Sequence, residues 1–338
     1  MKSRGHLFGE FCSLENLLAA ARQAMRGKRN KASTSAFELR LEENLLKLQA
    51  ALRSGSYRCG TYTNFYIYEP KRRYISAAPY VDRVVHHALC NVMGPIFEGT
   101  FVHHLYSNRK EKGTHKAVDQ YQRFCRLNQY VLKCDIRDYF ASVDKTILLR
   151  LIERKIKDPH LIKIVAMVID SFVKDPNMPG KGMPLGNLTS QLFANLYLCP
   201  MDHFIKEQLG CLYYIRYTDD FVIFDNDKQR LHDAKAAIAD FLKKYRLLLH
   251  PNKSQIYRVS DGVTFLGYRV FPQHRLLRKS NVRRYRRHLK VLQKDYASGQ
   301  VPLKKVLESL NSWNAHAAHA DSYRLRENLY GAYTFAKG

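Results

Sequence analysis

The chain has 338 residues, 46% of them hydrophobic and 25% charged, which suits a folded protein with a sizeable core and argues against intrinsic disorder. Lysine and arginine number 56 against 30 aspartate and glutamate, a formal net charge of +26, so the expected partner is a polyanion, nucleic acid ahead of an anionic membrane surface. No apolar run approaches the ~18 residues of a membrane-spanning helix, residues 1–10 lack the apolar stretch of a signal peptide, and none of the seven cysteines forms a Cys-x-x-Cys pair; a cytoplasmic protein with reduced, mostly buried thiols and no zinc site is expected.

In chain order, apolar spacing predicts a helix over Leu14–Met25, then a basic polar stretch from Arg26 to Ser35. A second helix is predicted from about Phe37 to Leu52, with Leu39, Leu45, Leu46 and Leu48 as apolar positions and Ser54-Gly55 as its end. From Tyr57 to Ile75 aromatic and β-branched residues alternate with polar ones, which reads as a hairpin turning at Pro70-Lys71-Arg72-Arg73. Helical spacing returns over Val81–Met93. Tyr130–Asp135 reads as a buried strand ending in a carboxylate, followed by a helix from Ser142–Asp144 through Ile152. Asn187 to Ser190 offer capping side chains ahead of a helix whose Leu192, Phe193, Leu196 and Tyr197 share a face. Tyr213–Tyr217 and Phe221–Phe224 read as strands around a polar turn, Leu231–Tyr245 as an amphipathic helix, and Ser254–Tyr257 and Phe265–Val270 as short strands; the remainder is helical and very basic.

The polar turn is Thr218-Asp219-Asp220. An Asp-Asp turn is commonly just solvated. Here the pair lies between buried-looking strands, where unpaired charge is costly and a cation would offset the cost. Asp135 ends another such strand. Three carboxylates on neighbouring strands are a donor set for two Mg²⁺ ions, one activating an attacking 3′-hydroxyl and the other stabilising leaving pyrophosphate. The fourteen histidines include the doublets His86-His87 and His103-His104, neither with metal-ligand spacing.

With these motifs in place, the chain resembles a reverse transcriptase over roughly Lys71 to Tyr268. Tyr217-Thr-Asp-Asp220 resembles the family's YxDD box, and Asp135-Ile-Arg-Asp-Tyr-Phe140 its first palm box. The resemblance implies metal ligation by Asp135, Asp219, Asp220 and the backbone of Ile136. It also implies that Phe140 is a steric gate against a ribose 2′-hydroxyl, where the residues alone read as well as a core aromatic. Lys71 and Arg73 match the fingers cations that grip the incoming dNTP, a task suited to their phosphate-binding groups. Asp82-Arg83-Val-Val-His-His-Ala-Leu resembles the next fingers box, and Ser107 to Ala117 the template-contacting loop and helix. His250-Pro-Asn-Lys253 resembles the palm lysine motif, with Lys253 either a proton donor to pyrophosphate or a surface lysine. Phe265-Leu-Gly-Tyr268 resembles the palm–thumb junction, where Gly267 would admit the primer closely.

The resemblance implies an α+β right-hand polymerase: an N-terminal helical extension over 1–56, fingers over 57–129, a palm on an antiparallel sheet over 130–270 with some fingers elements interleaved, and a helical thumb over 271–338. It also implies template RNA, an RNA/cDNA primer-template and dNTPs as partners, with two Mg²⁺ ions as cofactors and Mn²⁺ as an alternative. Gly182-Met-Pro-Leu-Gly-Asn-Leu-Thr-Ser-Gln191 is the discriminating segment. Most reverse transcriptases carry Gln where Leu185 stands and Ser-Pro where Ser190-Gln191 stands; the pattern here resembles enzymes of diversity-generating retroelements. Those bacterial or phage-encoded enzymes copy a template-repeat RNA into cDNA with errors at adenines, usually with a small basic accessory protein that assembles as a ring. Leu185 and Gln191 would then border the dNTP. Leucine offers shape but no donor, which lowers the penalty for a mispair. Thr218 stands where methionine is frequent, and a β-branched residue is expected to fit that turn. From Arg269 through Lys294 there are ten Lys/Arg and no Asp or Glu; Arg283, Arg284, Arg286, Arg287 and Lys290 would face the template–primer backbone. Two rivals remain: another bacterial reverse transcriptase (retron, intron-like or defence-associated), and an inactive RNA-binding protein of polymerase fold.

Overall fold

The computed structural model describes residues 5–68, 71–173 and 177–336; Pro70 of the expected basic turn lies outside them. Helices α1 (Phe8–Phe11), α2 (Leu14–Met25), α3 (Ala32–Leu39) and α4 (Leu41–Ser54) come first, then the hairpin β1 (Thr63–Ile67) and β2 (Arg73–Ala77). Next are α5 (Tyr80–Glu98), α6 (Thr114–Leu127), β3 (Tyr130–Asp135), α7 (Tyr139–Ser142), α8 (Lys145–Glu153), α9 (Pro159–Asp170) and α10 (Leu188–His203), which ends in a π-helical turn over Phe204–Gln208. The chain continues through β4 (Tyr213–Tyr217), β5 (Asp220–Asp225), α11 (Lys228–Lys243), β6 (Gln255–Arg258), β7 (Val263–Phe265), β8 (Tyr268–Val270) and β9 (Arg275–Leu277). Helices α12 (Lys279–Ala297), α13 (Leu303–Ala317) and α14 (Tyr323–Gly331) follow.

Helix starts are chemically specified. Ser13 accepts from Asn16 N–H, Asp144 from Ile147 N–H, and Asp227 from Gln229 N–H; Asp158, directly before Pro159, accepts from the His160 and Leu161 N–H groups. Helix α2 buries Leu17, Ala20, Ala21 and Ala24 and packs on α5, whose Val84, Val85, Ala88 and Leu89 are buried. Small alanines let the two axes approach closely.

The central sheet has strand order β4-β5-β3-β6, all neighbours antiparallel. One core joins the N-terminal helices and α5 to α8–α10 and the sheet; a second joins α6 to the sheet and to β7–β9. No helix among the described residues is long and apolar enough to cross a membrane.

Several expectations need correction. The helix from Phe37 is two helices broken at Arg40 (φ −128°, ψ 45°), and α3 begins within the basic stretch, at Ala32. Phe37 packs on Tyr80 with ring centroids 5.0 Å apart, and Asn44 Nδ2 caps the Phe37 carbonyl at 3.1 Å. Leu39 is left 86% exposed and Leu46 47% exposed, because the two short helices each bury their own stripe. Asn187 does not cap α10: its amide donates to Tyr62 Oη at 3.0 Å. Phe265–Val270 is not one strand but a hairpin turning on Leu266 (φ 45°) and Gly267 (φ 96°), the left-handed pair of a tight two-residue turn. The Gly267 carbonyl accepts from Arg278 N–H at 3.1 Å, which joins this turn to the start of α12. Strand β9 pairs with β8, so a division at residue 270 would cut a three-stranded sheet. Cys12, Cys125 and Cys134 are buried and the other four cysteines half-buried, all of them free.

Candidate active site

Register brings the carboxylates together. Asp135 is the cross-strand partner of Asp220, and Asp220 is also the partner of Tyr217 across the β4–β5 turn. The strands that carry them are apolar inside: Val131, Leu132 and Cys134 on β3 and Phe221 to Phe224 on β5 are buried. Burial, reinforced by Asp220, pushes the Asp219 carboxyl up to about 6. Asp220 is raised as well, mainly by burial, with Lys133 as the main opposing charge and Lys253 and Lys71 adding to it. Two desolvated, mutually repelling carboxylates are a site that favours a cation.

Lys253 reaches this site. Its Nζ lies 3.2 Å from Asp135 Oδ2, on a turn tied down where His250 N–H donates to Asp135 O at 2.7 Å. Ile136 bridges Leu249, flanked by that bond and by Arg137 N–H to Leu248 O at 2.9 Å. Ile136 is therefore a non-hydrogen-bonded position on that edge, and its own carbonyl points to the opposite edge, towards β5. Among the described residues no group of three or more His, Cys, Asp and Glu side chains converges as a ready-made metal cage. Mg²⁺ does not require one: it keeps water and phosphate ligands beside one or two carboxylates, and the donors here are all oxygens. The residues fit a divalent cation.

The other candidates fall on α7, the Gly182–Gln191 segment and start of α10, the β1–β2 hairpin and α12. Phe140 is half-buried, packed edge-on against the buried Tyr139, and its carbonyl accepts from Met183 N–H at 2.7 Å. That bond ties the first palm box to the Gly182–Gln191 segment. The Leu185 carbonyl in turn accepts from Ser76 N–H of β2 at 3.0 Å. Gly186 (φ 122°) is required at this contact, since a Cβ would sit 3.2 Å from Ile75 Cγ2 and 3.3 Å from the Ser76 carbonyl. Gln191 is exposed in the first turn of α10. Lys71 and Arg73 are exposed at the base of β2, and Arg72 between them stacks 4.2 Å over Tyr66. On α12, far along the chain from the carboxylates, Arg283, Arg284, Arg286, Arg287 and Lys290 are exposed while Tyr285, Leu289 and Leu292 are buried, and Arg284 lines a cavity with Tyr285, Trp313 and His316.

Sequence reasoning missed the support beneath the turn. Thr218 has φ +59°, a left-handed conformation that a β-branched residue avoids, so it does not sit easily as expected. It is held by Ser107 and Arg216, and Arg216 forms a fully buried ion pair with Asp202 at 2.6 Å. The available signals were a charged Arg216 amid the apolar strand Tyr213–Tyr217, and Asp202 in an apolar helix.

A profile of the family described as Reverse transcriptase (RNA-dependent DNA polymerase) matches residues 69–270, more than half of the chain, including β3 and the β4–β5 turn. The chain is 26% identical over 289 residues to Protein YkfC of Escherichia coli (strain K12), covering 72% of this chain and 73% of that one. It is 25% identical over 172 residues to Group II intron-encoded protein LtrA of Lactococcus lactis subsp. cremoris, covering 49% of this chain and 29% of that one. A carboxylate pair on a β-turn beside an antiparallel strand, within a mixed helix and sheet architecture of right-hand type, accords with that match: the chain belongs to the reverse transcriptase family of RNA-dependent DNA polymerases.

Proposed function

We propose that this enzyme makes error-prone, adenine-mutagenic cDNA from a template-repeat RNA in a diversity-generating retroelement. The observation that carries the reading is Leu185, in the Gly182–Gln191 segment wedged between Phe140 of the palm box and Ser76 of the fingers hairpin. A side chain there borders the nascent pair, and leucine supplies no hydrogen bond to discriminate it. A small basic oligomeric accessory protein belongs to this reading as a partner, in a bacterial or phage setting.

Asp135, Asp219, Asp220 and the Ile136 carbonyl are the proposed holders of two Mg²⁺ ions, for which Mn²⁺ can substitute. When bound, the ions supply the Lewis acidity that activates the 3′-hydroxyl and stabilises the departing pyrophosphate. Lys71 and Arg73 bind the triphosphate oxygens. The Phe140 ring excludes a ribose 2′-hydroxyl, and Leu185 and Gln191 line the dNTP. Lys253, kept in place by Asp135, holds the proton passed to pyrophosphate. The basic face of α12 follows the template–primer backbone. Replacing Arg283 and Arg287 by alanine is expected to weaken template binding and lower the slope of log affinity against log salt by roughly 1–2. An unchanged slope, measured by fluorescence anisotropy, would remove those residues from the interface.

The test is primer extension on a defined RNA with dNTPs and Mg²⁺, with the products sequenced. Errors piled at template adenines are expected, and Leu185→Gln is expected to cut them several-fold. Similarity to a group II intron-encoded protein favours a second reading, an intron-type enzyme that copies evenly. Uniformly low error rates, unmoved by Leu185→Gln with the native RNA and accessory protein present, would decide for it.

A further inference from the structure

Directly before Asp219, Thr218 holds a backbone conformation that its side chain opposes, with φ +59°. Something must hold it there. Both halves of the residue's main chain are bound: its N–H donates to Ser107 Oγ at 2.8 Å, and its carbonyl accepts from Arg216 Nη1 at 3.0 Å. Neither holder is free to move. Ser107 Oγ donates to Asn195 Oδ1 at 3.0 Å, and Asn195 Nδ2 returns a bond to the Ser107 carbonyl at 2.8 Å. Arg216 Nη2 donates to the Asn195 carbonyl at 3.0 Å and to Asp202 Oδ2 at 2.6 Å, and Nε donates to Asp202 Oδ1 at 2.7 Å. Tyr214 Oη donates to the same Asp202 oxygen at 2.6 Å.

The Arg216 and Asp202 side chains are 0% exposed, so each depends on the other to satisfy a buried charge. The segment carrying Ser107 is itself laid along the outer edge of β4. Leu105 bridges Arg216 in parallel, Arg216 N–H donates to the His104 carbonyl at 3.0 Å, and Tyr106 N–H donates to the Arg216 carbonyl at 3.0 Å. A network needed only to tie α10 to β4 would be complete with Asp202, Arg216 and Tyr214. Two further bonds leave it for the one strained peptide that precedes the carboxylate pair.

We propose that Ser107, backed by Asn195 and the Arg216–Asp202 pair, is a positioning clamp. It holds Thr218 in its left-handed conformation and thereby sets the separation and direction of Asp219 and Asp220 towards divalent cations. The proposal rests on the reading of Asp219 and Asp220 as the metal-holding carboxylates. Ser107 touches no reacting atom; it acts through the turn.

Glycine adopts a positive φ without help. If the clamp works by imposing that φ, then Thr218→Gly rescues its loss, and a merely structural role for Ser107 predicts no rescue. The experiment compares wild type, Ser107→Ala and Ser107→Ala/Thr218→Gly as full-length protein, with Asp219→Asn/Asp220→Asn as the reference. Mn²⁺ binding is read by electron paramagnetic resonance, and extension kinetics are read over a Mg²⁺ titration. Ser107→Ala is expected to lower kcat about tenfold, equivalent to about 1.4 kcal/mol, and to weaken Mn²⁺ binding several-fold with KM for dNTP within twofold. The double variant is expected to recover most of both. No loss in Ser107→Ala, or a loss that Thr218→Gly leaves in place, overturns the clamp. Unreduced Mn²⁺ binding and extension in Asp219→Asn/Asp220→Asn would instead overturn the metal reading beneath it. If Ser107→Ala is unfolded at the assay temperature, Ser107→Cys, which keeps a weak acceptor, takes its place: a smaller loss that Thr218→Gly restores supports the clamp, and a loss it leaves in place overturns it.

Discussion

Asparagine at both Asp219 and Asp220 is expected to reduce primer extension by at least about 10³-fold, roughly 4 kcal/mol of barrier, with template binding retained. The amides keep the shape of the turn and remove its negative charge. Extension within tenfold of wild type would show that the chemistry lies elsewhere. The same pair predicts a pH dependence. Asp219 is pushed up to about 6 by burial and by Asp220, so below that pH a proton competes with the cation. The Mg²⁺ concentration for half-maximal extension should rise as pH falls from 7.5, approaching tenfold per unit below about 6.

Stability carries the opposite sign. The folded carboxyl lies above its ordinary value of 3.8, so the fold binds this proton more tightly than the unfolded chain does. The cation-free protein therefore loses stability as pH rises from about 4 to about 6, and the loss persists above. Asp219→Asn removes it. The variant should melt higher than wild type at pH 7.5 in chelator, by roughly 2–4 °C for each kcal/mol relieved. A lower Tm would mean that the carboxylate's own hydrogen bonding outweighs its desolvation.

Asp202→Ala is expected to be the most destabilising single change in the palm, about 3–5 kcal/mol, because it strands the fully buried Arg216 guanidinium. Tyr214 Oη loses its acceptor in the same stroke. An apolar pair of similar volume, Asp202→Leu/Arg216→Met, should melt well above Asp202→Ala, since no charge is left unpaired. Its extension activity should stay low, because the Thr218 carbonyl has lost its donor. Equal melting of the single and double variants in chemical denaturation would show that the ion pair is not the source of the loss.

Much of the site was legible because its signals are local. The alternation of Tyr213–Tyr217 and Phe221–Phe224 around a short polar turn reads directly as the β4–β5 hairpin, and a hairpin's register follows from its turn length. Asp144 lies at its helix start as expected and caps it, whereas α10 begins earlier, at Leu188, so Ser190 falls inside the helix rather than ahead of it and Asn187 turns to Tyr62. The apolar strand Tyr130–Asp135 ends on its carboxylate beside Asp220, as its composition and the family resemblance both implied. Where neighbouring residues compete for burial, local reading failed. Phe37 docks on Tyr80 of a helix distant in sequence, so the helix expected through Leu52 breaks at Arg40 and Leu39 turns outward.

The strong positive charge, the alternation of strands and helices, and the positions of Asp135, Asp219 and Asp220 at strand ends can be read from the residues alone, because periodicity, turn chemistry and charge act over a few residues. How the Thr218 turn is held depends on packing between segments far apart in the chain. Its partner Ser107 lies 111 residues away, and Ser107 in turn depends on Asn195, 88 residues from it. A backbone angle disfavoured by its own side chain has no local signature; it exists where packing brings distant donors and acceptors to bear on one peptide.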